Sequence, residues 1–331
     1  MEYRQFGKTD LTVSEIGFGA WGIGGEMWGP TDDEEARNAL WRAFDLGVTF
    51  FDTAYAYGDG HSESLIGEAL KQQRGDIVIA TKIPPKTFNW PPLPHETIQE
   101  AFPADWIVSC TERSLRKLKT DYIDIQQLHV WSERWLEDTE WLETLAKLCR
   151  EGKIRYFGVS ACDWEPYDTV SLVETGKIQS VQVIYNIFEQ RPEEKLFPAA
   201  ETYDAGIIAR VPFEEGLLSG AITRDTQFSQ GDWRKDWLPP KRLAEATGRI
   251  EALRKYLSES TPTLAELALK FCLHHPAIST VIPGMRRTKH VEQNCRASDR
   301  RKRLAPEVIA ALRDHVFVHG WKYPWVTDCR D

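Results

Sequence analysis

Short apolar runs alternate along this chain with longer stretches in which apolar residues recur every three or four positions. Short runs bounded by glycine, proline or polar clusters predict buried strands, whereas the longer periodic stretches predict amphipathic helices. Eight strands are predicted, at residues 16–19, 49–52, 77–81, 123–128, 155–159, 180–184, 207–211 and 280–282. Six helices are predicted among them, at residues 33–46, 62–71, 105–118, 139–151, 165–175 and 194–203. Repeated units of this kind are typical of a parallel sheet covered by helices.

Residue types at the predicted helix ends support this division. Thr31 and Ser62 are placed to cap two helix starts, where a side-chain oxygen accepts a hydrogen bond from the first turn. Glycines that tolerate a left-handed backbone follow four of the predicted helices: Gly47, Gly152, Gly176 and Gly206.

The predicted fold class is α/β, and a closed (β/α)8 TIM barrel is the favoured architecture. The GxGxxG at residues 17–22 starts inside the first predicted strand and none follows that strand, which disfavours the alternative, a doubly wound sheet with a glycine-rich nucleotide loop. Residues 3–6 and 11–13 flank a turn at 7–10 and predict a β-hairpin that plugs the N-terminal end of the barrel. Residues 288–296 and 306–319 predict extra C-terminal helices. Residues 1–331 are expected to form one domain.

Composition narrows the classes of function. A chain of 331 residues with 42% hydrophobic content buries a large core, and a net charge of -9 disfavours nucleic acid as the main partner. The six cysteines form no CxxC pair and no metal-ligand spacing, which is typical of reduced intracellular thiols and predicts no metal site. Because there is neither a signal peptide nor an apolar run of about 18 residues, we expect a cytoplasmic protein without a membrane partner. The sequence leaves the oligomeric state open.

Four polar residues lie at or just past the C-terminal ends of predicted strands: Asp52, Tyr57, Lys82 and His129. In a parallel barrel these strand ends converge on one face, which carries the chemistry. Each residue alone also suits a cap, a turn or ordinary packing. The four together predict one active site.

These positions resemble the active-site pattern of the aldo-keto reductase superfamily. The resemblance rests on FDTAYAYG at 51–58, Lys82 and LH at 128–129. It continues in order through GFGAW at 17–21, GVS at 158–160, QVIYN at 182–186, PFEEGLLSG at 212–220 and IPG at 282–284. It covers nearly the whole chain and implies NADPH-dependent reduction of aldehydes or ketones to alcohols.

The residue types fit that chemistry. Hydride addition to a carbonyl creates an alkoxide, which needs a proton donor within hydrogen-bond reach, and Tyr57 is the candidate. A phenol with a pKa near 10 is a weak acid at neutral pH, so the nearby cation of Lys82 is expected to stabilise its ionised form. Asp52 is expected to keep the buried Lys82 charged, and His129 to donate a hydrogen bond to the carbonyl oxygen.

The resemblance also implies that NADPH or NADP+ lies extended across the last four strands. The implied cofactor-binding residues are Ala20, Trp21, Ser160, Gln182, Arg210, Val211, Pro212, Phe213, Gly216, Leu217, Ser219, Gly284, Arg286, His290, Gln293 and Asn294. Among them, Ser160 and Gln182 match positions that hold the nicotinamide carboxamide. Ala161 replaces the usual asparagine, and Gln293 replaces a common glutamate on the adenine side.

Two charged positions bear on the state of the cofactor. Arg210 stands where an aromatic residue often stacks on the nicotinamide, and its charge would disfavour the cationic oxidised ring, giving a bias toward reduction. The alternative is an ion pair with a loop carboxylate such as Glu214. Arg286 matches the position for the 2′-phosphate and Arg287 is placed to assist, which favours NADPH over NADH, the alternative being a solvated basic turn.

Two long connections, 83–102 and 212–241, leave strand C-termini and are expected to overhang the site. Backbone amides of 211–217, with Ser219, are expected to wrap the pyrophosphate. Aromatic residues expected to wall the substrate pocket are Trp21, Trp28, Phe88, Trp90 and Trp131. Such walls suit small-molecule carbonyl substrates that are apolar and also stack on sugars. Two rival functions remain, a sugar or polyol dehydrogenase and a non-catalytic cofactor sensor resembling channel-associated β-subunits.

Overall fold

The computed structural model describes residues 1–25, 27–29, 31–163 and 165–318. Two short strands, β1 (Tyr3–Gln5) and β2 (Thr12–Ser14), pair antiparallel as the predicted hairpin. Eight further strands pair in parallel and in chain order. They are β3 (Phe18–Gly19), β4 (Phe50–Asp52), β5 (Val78–Ile83), β6 (Ile123–Leu128), β7 (Ile154–Ser160), β8 (Ser180–Ile184), β9 (Gly206–Arg210) and β10 (Ile278–Val281).

The sheet curls until its first and last strands meet. Parallel bridges join Ile16 to Val281 and Gly19 to Gly284, and the Gly17 amide donates to the Val281 carbonyl over 2.8 Å. The predicted (β/α)8 barrel is therefore confirmed, with all eight strands in the expected places.

Helices follow the strands around the outside of the sheet. They are α1 (Asp33–Asp45), α2 (His61–Ala69), α3 (Ile98–Ala101), α4 (Ala104–Leu118), α5 (Glu140–Arg150), α6 (Val170–Glu174), α7 (Leu196–Tyr203), α8 (Arg234–Trp237), α9 (Pro240–Leu253), α10 (Leu264–His274), α11 (Thr288–Cys295) and α12 (Pro306–Arg313). Helix α6 is shorter than the predicted 165–175, since residues 166–169 form turns and the helix begins at Val170. Helices α3, α8, α9 and α10 were not predicted, and α3 and α8 lie in the two connections predicted as long loops. The C-terminal helix of 306–319 ends at Arg313, and residue 319 lies outside the described residues.

The predicted helix caps were wrong by one or two residues, although α1 begins at residue 33 as expected. Asp32, not Thr31, caps α1, and its carboxylate accepts two backbone N–H bonds from the first turn. A carboxylate there also interacts favourably with the helix dipole. Gly60, not Ser62, precedes α2, and the Ser62 hydroxyl donates instead to the carbonyl of Ala20.

The predicted glycine stops hold in three cases of four. Gly47, Gly152 and Gly176 have positive φ after α1, α5 and α6. After α7 the left-handed residue is Asp204, with φ of 58°, and Gly206 begins β9.

Gly206 is needed for a different reason, since the hairpin packs against it. A Cβ at Gly206 would lie 2.3 Å from the ring of Phe6, which stacks on Phe50 with centroids 6.0 Å apart. Leu11 and Val13 join the same apolar cluster inside the barrel. The hairpin thus fills the N-terminal end and leaves the opposite end for ligands. Across the described ranges, no helix is both long and apolar enough to cross a membrane.

Candidate active site

The C-terminal face of the barrel brings the four predicted catalytic residues together. Asp52 ends β4, Lys82 lies on the neighbouring strand β5, and His129 directly follows β6. Tyr57 lies in the turn after β4, where its amide donates to the carbonyl of Ala54 over 3.0 Å. We call these four residues the floor of the site.

Lys82 is the centre of the floor. Its ammonium nitrogen donates to Asp52 Oδ1 and to the carbonyl of Thr53, both at 2.7 Å, and lies 3.4 Å from the phenolic oxygen of Tyr57. The side chain is fully buried. Burial lowers the pKa of Lys82 and raises that of Asp52, and in each case the charge of the partner opposes the shift. The additional hydrogen bonds to both groups favour the charged pair.

Tyr57 is held as a neutral phenol. Burial raises its pKa well above 10, the charge of Asp52 adds to the shift, and that of Arg210 opposes it. Burial, rather than the nearby Lys82, is thus the largest influence on this group. A neutral phenol is the form that can give up a proton.

His129 is held as a neutral imidazole. Burial lowers its pKa well below 6.5, and the charges of Lys82 and Arg210 add to that effect. Its backbone amide donates to the carbonyl of Ile83 over 2.9 Å, and its ring meets that of Tyr57 edge-on at 5.7 Å. Its Nδ1 is buried and has no hydrogen-bond partner among the described residues. The ring is therefore fixed beside the phenol, and its Nδ1 is left without a hydrogen-bond partner among the described residues.

A polar network inside the barrel supports Asp52 from below. Gln182 on β8 donates to Asp52 Oδ2 over 2.7 Å and lies 3.3 Å from Gln127 Oε1. Gln127 in turn donates to the hydroxyl of Ser180. Gln127 was not predicted, although it lies two residues after Ile125 on β6 and therefore on the same, inward face of the strand.

A cavity of about 1080 Å³ opens above the floor. Most of the predicted cofactor residues line it: Trp21, Ser160, Gln182, Arg210, Val211, Pro212, Phe213, Gly216, Ser219, Gly284, Arg286, His290, Gln293 and Asn294. Ala20 and Leu217 are buried beneath the lining instead. The Ala20 amide donates to the carbonyl of Asp52, which ties β3 to the floor.

Arg210 is paired with a loop carboxylate, as the alternative expected, and that carboxylate is Asp163. Its guanidinium donates to Asp163 at 2.5 Å and to the carbonyl of Ala161 at 3.0 Å. Glu214 accepts a hydrogen bond from Asn186 over 2.7 Å. Asp163 follows β7 and also lines the cavity, so this end of the cleft holds both charges of an ion pair.

The loop after β9 turns sharply along the cavity. Val211, Glu214 and Glu215 have positive φ, as does Gly216. The Ser219 hydroxyl donates to the carbonyl of Gly216 over 2.6 Å, so it braces the loop itself.

The two arginines after β10 differ in position. Arg286 lines the cavity, donates to the carbonyl of Trp28 over 2.9 Å, and packs so closely on Gly22 that a Cβ there would lie 2.8 Å from its side chain. Arg287 pairs with Glu35 of α1 at 3.3 Å and does not line the cavity.

Aromatic side chains form two walls above the floor. On one side, Trp21 stacks on Tyr57 with centroids 6.0 Å apart, and Trp28 meets Trp21 edge-on at 4.9 Å. On the other side, Trp90 meets His129 edge-on at 5.2 Å. Phe88 lies beyond Trp90 at the mouth of the cavity and is 61% exposed.

Trp131 was wrongly assigned to these walls. It is completely buried against Trp135 and Trp141 and donates through its indole nitrogen to the carbonyl of Asp168. Two residues beyond His129, the chain has already turned away from the cavity and packs beneath α5.

The long loop after β9 meets the loop after β3 over the cleft. The backbones of Trp28 and Asp232 form an isolated antiparallel β-bridge, and the amide of Trp233 donates to the carbonyl of Met27 over 3.1 Å. The Trp233 ring stacks behind Trp21 at 6.5 Å. Asp232, Trp233 and Asp163 were not predicted as site residues. The sequence places Trp233 in the long loop, but it gives no signal for the contacts of Trp233 with Met27 and Trp21.

The chain belongs to the aldo/keto reductase family, whose sequence profile matches residues 15–316. That membership makes it an oxidoreductase built on the TIM barrel.

Individual proteins similar to this chain carry several different activities in their names. An aldo-keto reductase, YhdN, of Bacillus subtilis is 32% identical over 88% of this chain and 87% of its own length. A probable voltage-gated potassium channel subunit beta of Arabidopsis thaliana is 30% identical over 93% of this chain and 94% of its own length. An NADH-specific methylglyoxal reductase of Escherichia coli is also 30% identical, over 92% of this chain and 98% of its own length. The glycerol dehydrogenase AKR11B4 of Gluconobacter oxydans has the same fold, with a TM-score of 0.77 and 26% identity over 95% and 94% of the two chains.

Proposed function

We propose that the chain is an NADPH-dependent reductase that converts aldehydes or ketones to alcohols, acting as a single barrel domain. The observation that carries the proposal is the floor itself. A neutral, half-buried Tyr57 lies 3.4 Å from the Lys82 ammonium and beside a neutral His129, under a cavity lined by the family's cofactor positions.

The lining fits a dinucleotide phosphate. Asn294 is buried and lines the cavity, and its amide nitrogen has no partner among the described residues, so a donor is left for a ligand. Arg286 brings a guanidinium to the same end, and guanidinium groups bind phosphate well. When bound, the reduced nicotinamide would supply the hydride. Arg286 would hold the 2′-phosphate, and Ser160 and Gln182 would hold the carboxamide.

The chain's own residues then provide positioning and the proton. His129 would donate a hydrogen bond to the substrate carbonyl oxygen, and Tyr57 would transfer its proton to that oxygen as negative charge develops. Lys82 stabilises the resulting phenolate, and Asp52 keeps Lys82 charged. The aromatic walls exclude water, which strengthens each of these interactions.

The test is cofactor oxidation by purified protein with aromatic aldehydes, methylglyoxal and open-chain sugars, with NADPH and NADH in parallel and Tyr57→Phe as control. Turnover that prefers NADPH and depends on Tyr57 is expected. Preference for NADH would contradict the cofactor assignment, and equal turnover by Tyr57→Phe would contradict the proton donor.

Two other functions have support from similar proteins. The structural likeness to a glycerol dehydrogenase favours a polyol dehydrogenase, which predicts faster NADP+ reduction by glycerol at high pH than carbonyl reduction at neutral pH. The similarity to a probable channel subunit favours a cofactor sensor, which predicts tight NADPH binding without turnover of any carbonyl in the panel.

A further inference from the structure

The loop that carries the Trp90 wall has few means of holding its shape. Between β5 and α3, residues 84–97 include five prolines, which have no N–H to donate. Its large apolar side chain Phe88 is 61% exposed and so contributes little burial. Yet Trp90 is held edge-on to His129, with its indole nitrogen 3.4 Å from the His129 carbonyl.

The carboxylate of Glu96 supplies the missing constraint. It is 5% exposed and accepts hydrogen bonds from the Thr87 hydroxyl, from Asn89 Nδ2 at 3.1 Å and from the backbone amide of Leu93 at 2.9 Å. The three donors lie on both sides of Trp90 in the sequence. One buried carboxylate therefore gathers the whole loop around itself, and each bond is charge-assisted.

Glu96 is itself anchored to the body of the barrel. Its backbone carbonyl accepts from the indole nitrogen of Trp135 at 2.9 Å, and the carbonyl of Leu93 accepts from Arg134 at 2.9 Å. Both donors belong to the short segment that follows β6, the strand that ends at His129. The loop is thus fixed relative to the same strand that positions one of the floor residues.

We infer that Glu96 is a positioning residue for substrate specificity. By holding Trp90 against His129, it maintains the wall on which an aromatic or extended apolar group of the substrate packs. The kcat/KM for carbonyl compounds with such a group depends on Glu96 more than the kcat/KM for a small carbonyl compound such as methylglyoxal. This inference rests on the proposed function and adds a substrate class to it.

The main experiment compares kcat/KM for an aromatic aldehyde and for methylglyoxal in wild type and in Glu96→Ala. We expect the ratio to fall on the order of tenfold, chiefly through KM for the aromatic aldehyde, because loss of a packed apolar contact has about that effect. Glu96→Gln, whose amide oxygen can accept two of the bonds, should restore most of the ratio. Glu100→Ala is the matched control, since Glu100 caps α3 through Thr97, the last residue of the loop, and is not bonded to Thr87, Asn89 or Leu93. A ratio in Glu96→Ala within about twofold of wild type would overturn the inference.

A double-mutant cycle separates this role from general stabilisation. If Glu96 acts through Trp90, the effects of Glu96→Ala and Trp90→Ala on the ratio should not add, whereas independent roles would give additive effects and contradict the inference.

Amide hydrogen exchange of residues 86–93, which excludes the Thr97 amide bound by Glu100, tests the same point without turnover. It should accelerate in Glu96→Ala and not in Glu100→Ala, and unchanged exchange would refute the positioning role. If wild type reduces no carbonyl while exchange responds as expected, the proposed function fails and the role of Glu96 in ordering the loop stands.

Discussion

The floor and the rim of the cleft are built by different means. We define the rim as the described residues of the loops after β3, β5 and β9, at 20–25, 27–29, 84–97 and 211–239. Floor side chains emerge from or beside paired strands, so the register of the barrel fixes them, as with Asp52 and Lys82 at 2.7 Å. Rim side chains depend on a few local contacts, such as the Glu96 carboxylate or the bridge from Trp28 to Asp232. The difference teaches that floor substitutions should alter rate or stability, while rim substitutions should alter which ligands bind.

The largest expected effect is on the floor, from Tyr57→Phe. Loss of the proton donor should lower kcat roughly hundredfold to ten-thousandfold while the NADPH dissociation constant stays nearly unchanged. Steady-state kinetics and fluorescence titration with NADPH measure the two. A parallel loss of NADPH affinity would break the separation between floor and rim.

A smaller effect, on NADPH affinity, is expected from substitution of Arg286. Arg286→Ala should weaken NADPH binding roughly tenfold to a hundredfold, since a hydrogen bond to a charged group is worth about 1.5–3 kcal/mol, and should affect NADH much less. Arg287→Ala, which removes a solvent-exposed pair with Glu35, should change NADPH affinity less than about fivefold. Equal losses for the two variants, measured by fluorescence titration, would contradict the assignment of Arg286.

A pH effect of intermediate size is expected just beneath the floor. Glu63 of α2 accepts a hydrogen bond from Thr81 at 2.6 Å, and burial raises its pKa to about 7. Between its ordinary pKa of 4.5 and about 7, the folded protein keeps a proton that the unfolded chain has lost. The free energy of unfolding should therefore fall as pH rises through that window.

Glu63→Gln removes this titration. The variant should gain about 1–2 kcal/mol relative to wild type between about pH 5 and pH 8, as measured by chemical denaturation. Glu68→Gln, an exposed change on the same helix, should show no such trend. Parallel pH profiles for wild type and Glu63→Gln would disprove the burial effect.

The smallest expected effect concerns the Arg210 and Asp163 pair near the rim. Removing the carboxylate in Asp163→Asn leaves more of the Arg210 charge facing the cleft, so NADP+ affinity should drop about threefold relative to NADPH. Arg210→Tyr should shift the ratio the other way. Titration with both cofactors decides the matter, and an unchanged ratio in both variants would show that this pair does not act on the nicotinamide.

The floor was easier to predict from sequence than the rim, for a physical reason. Asp52 and His129 directly follow apolar runs, and strand C-termini converge whatever the intervening loops do. Pairs such as Arg210 with Asp163 depend on side-chain directions in segments that only barrel closure brings together. Trp131 shows the same limit, because three residues past the end of β6 the direction of the chain depends on tertiary packing.

Helix boundaries depended on single local choices. Thr31 and Asp32 are both good caps, and only the backbone conformation decides between them. Helices α9 and α10 lie at and after the end of the connection predicted as a loop at 212–241, and no helix was predicted there. The pairing of Arg287 with Glu35 joins residues 252 positions apart and has no signal in a single sequence.

The hairpin at the start of the chain has a consequence for the order of assembly. Phe6 packs on Gly206, the Lys8 amide donates to the carbonyl of Asp204, and Arg4 donates to the carbonyl of Ile278. All of these partners lie in the last two fifths of the sequence. The hairpin can therefore take its final place only after residues as far along the chain as Ile278 have been synthesised, and closure of such distant contacts is an inherently slow step of folding.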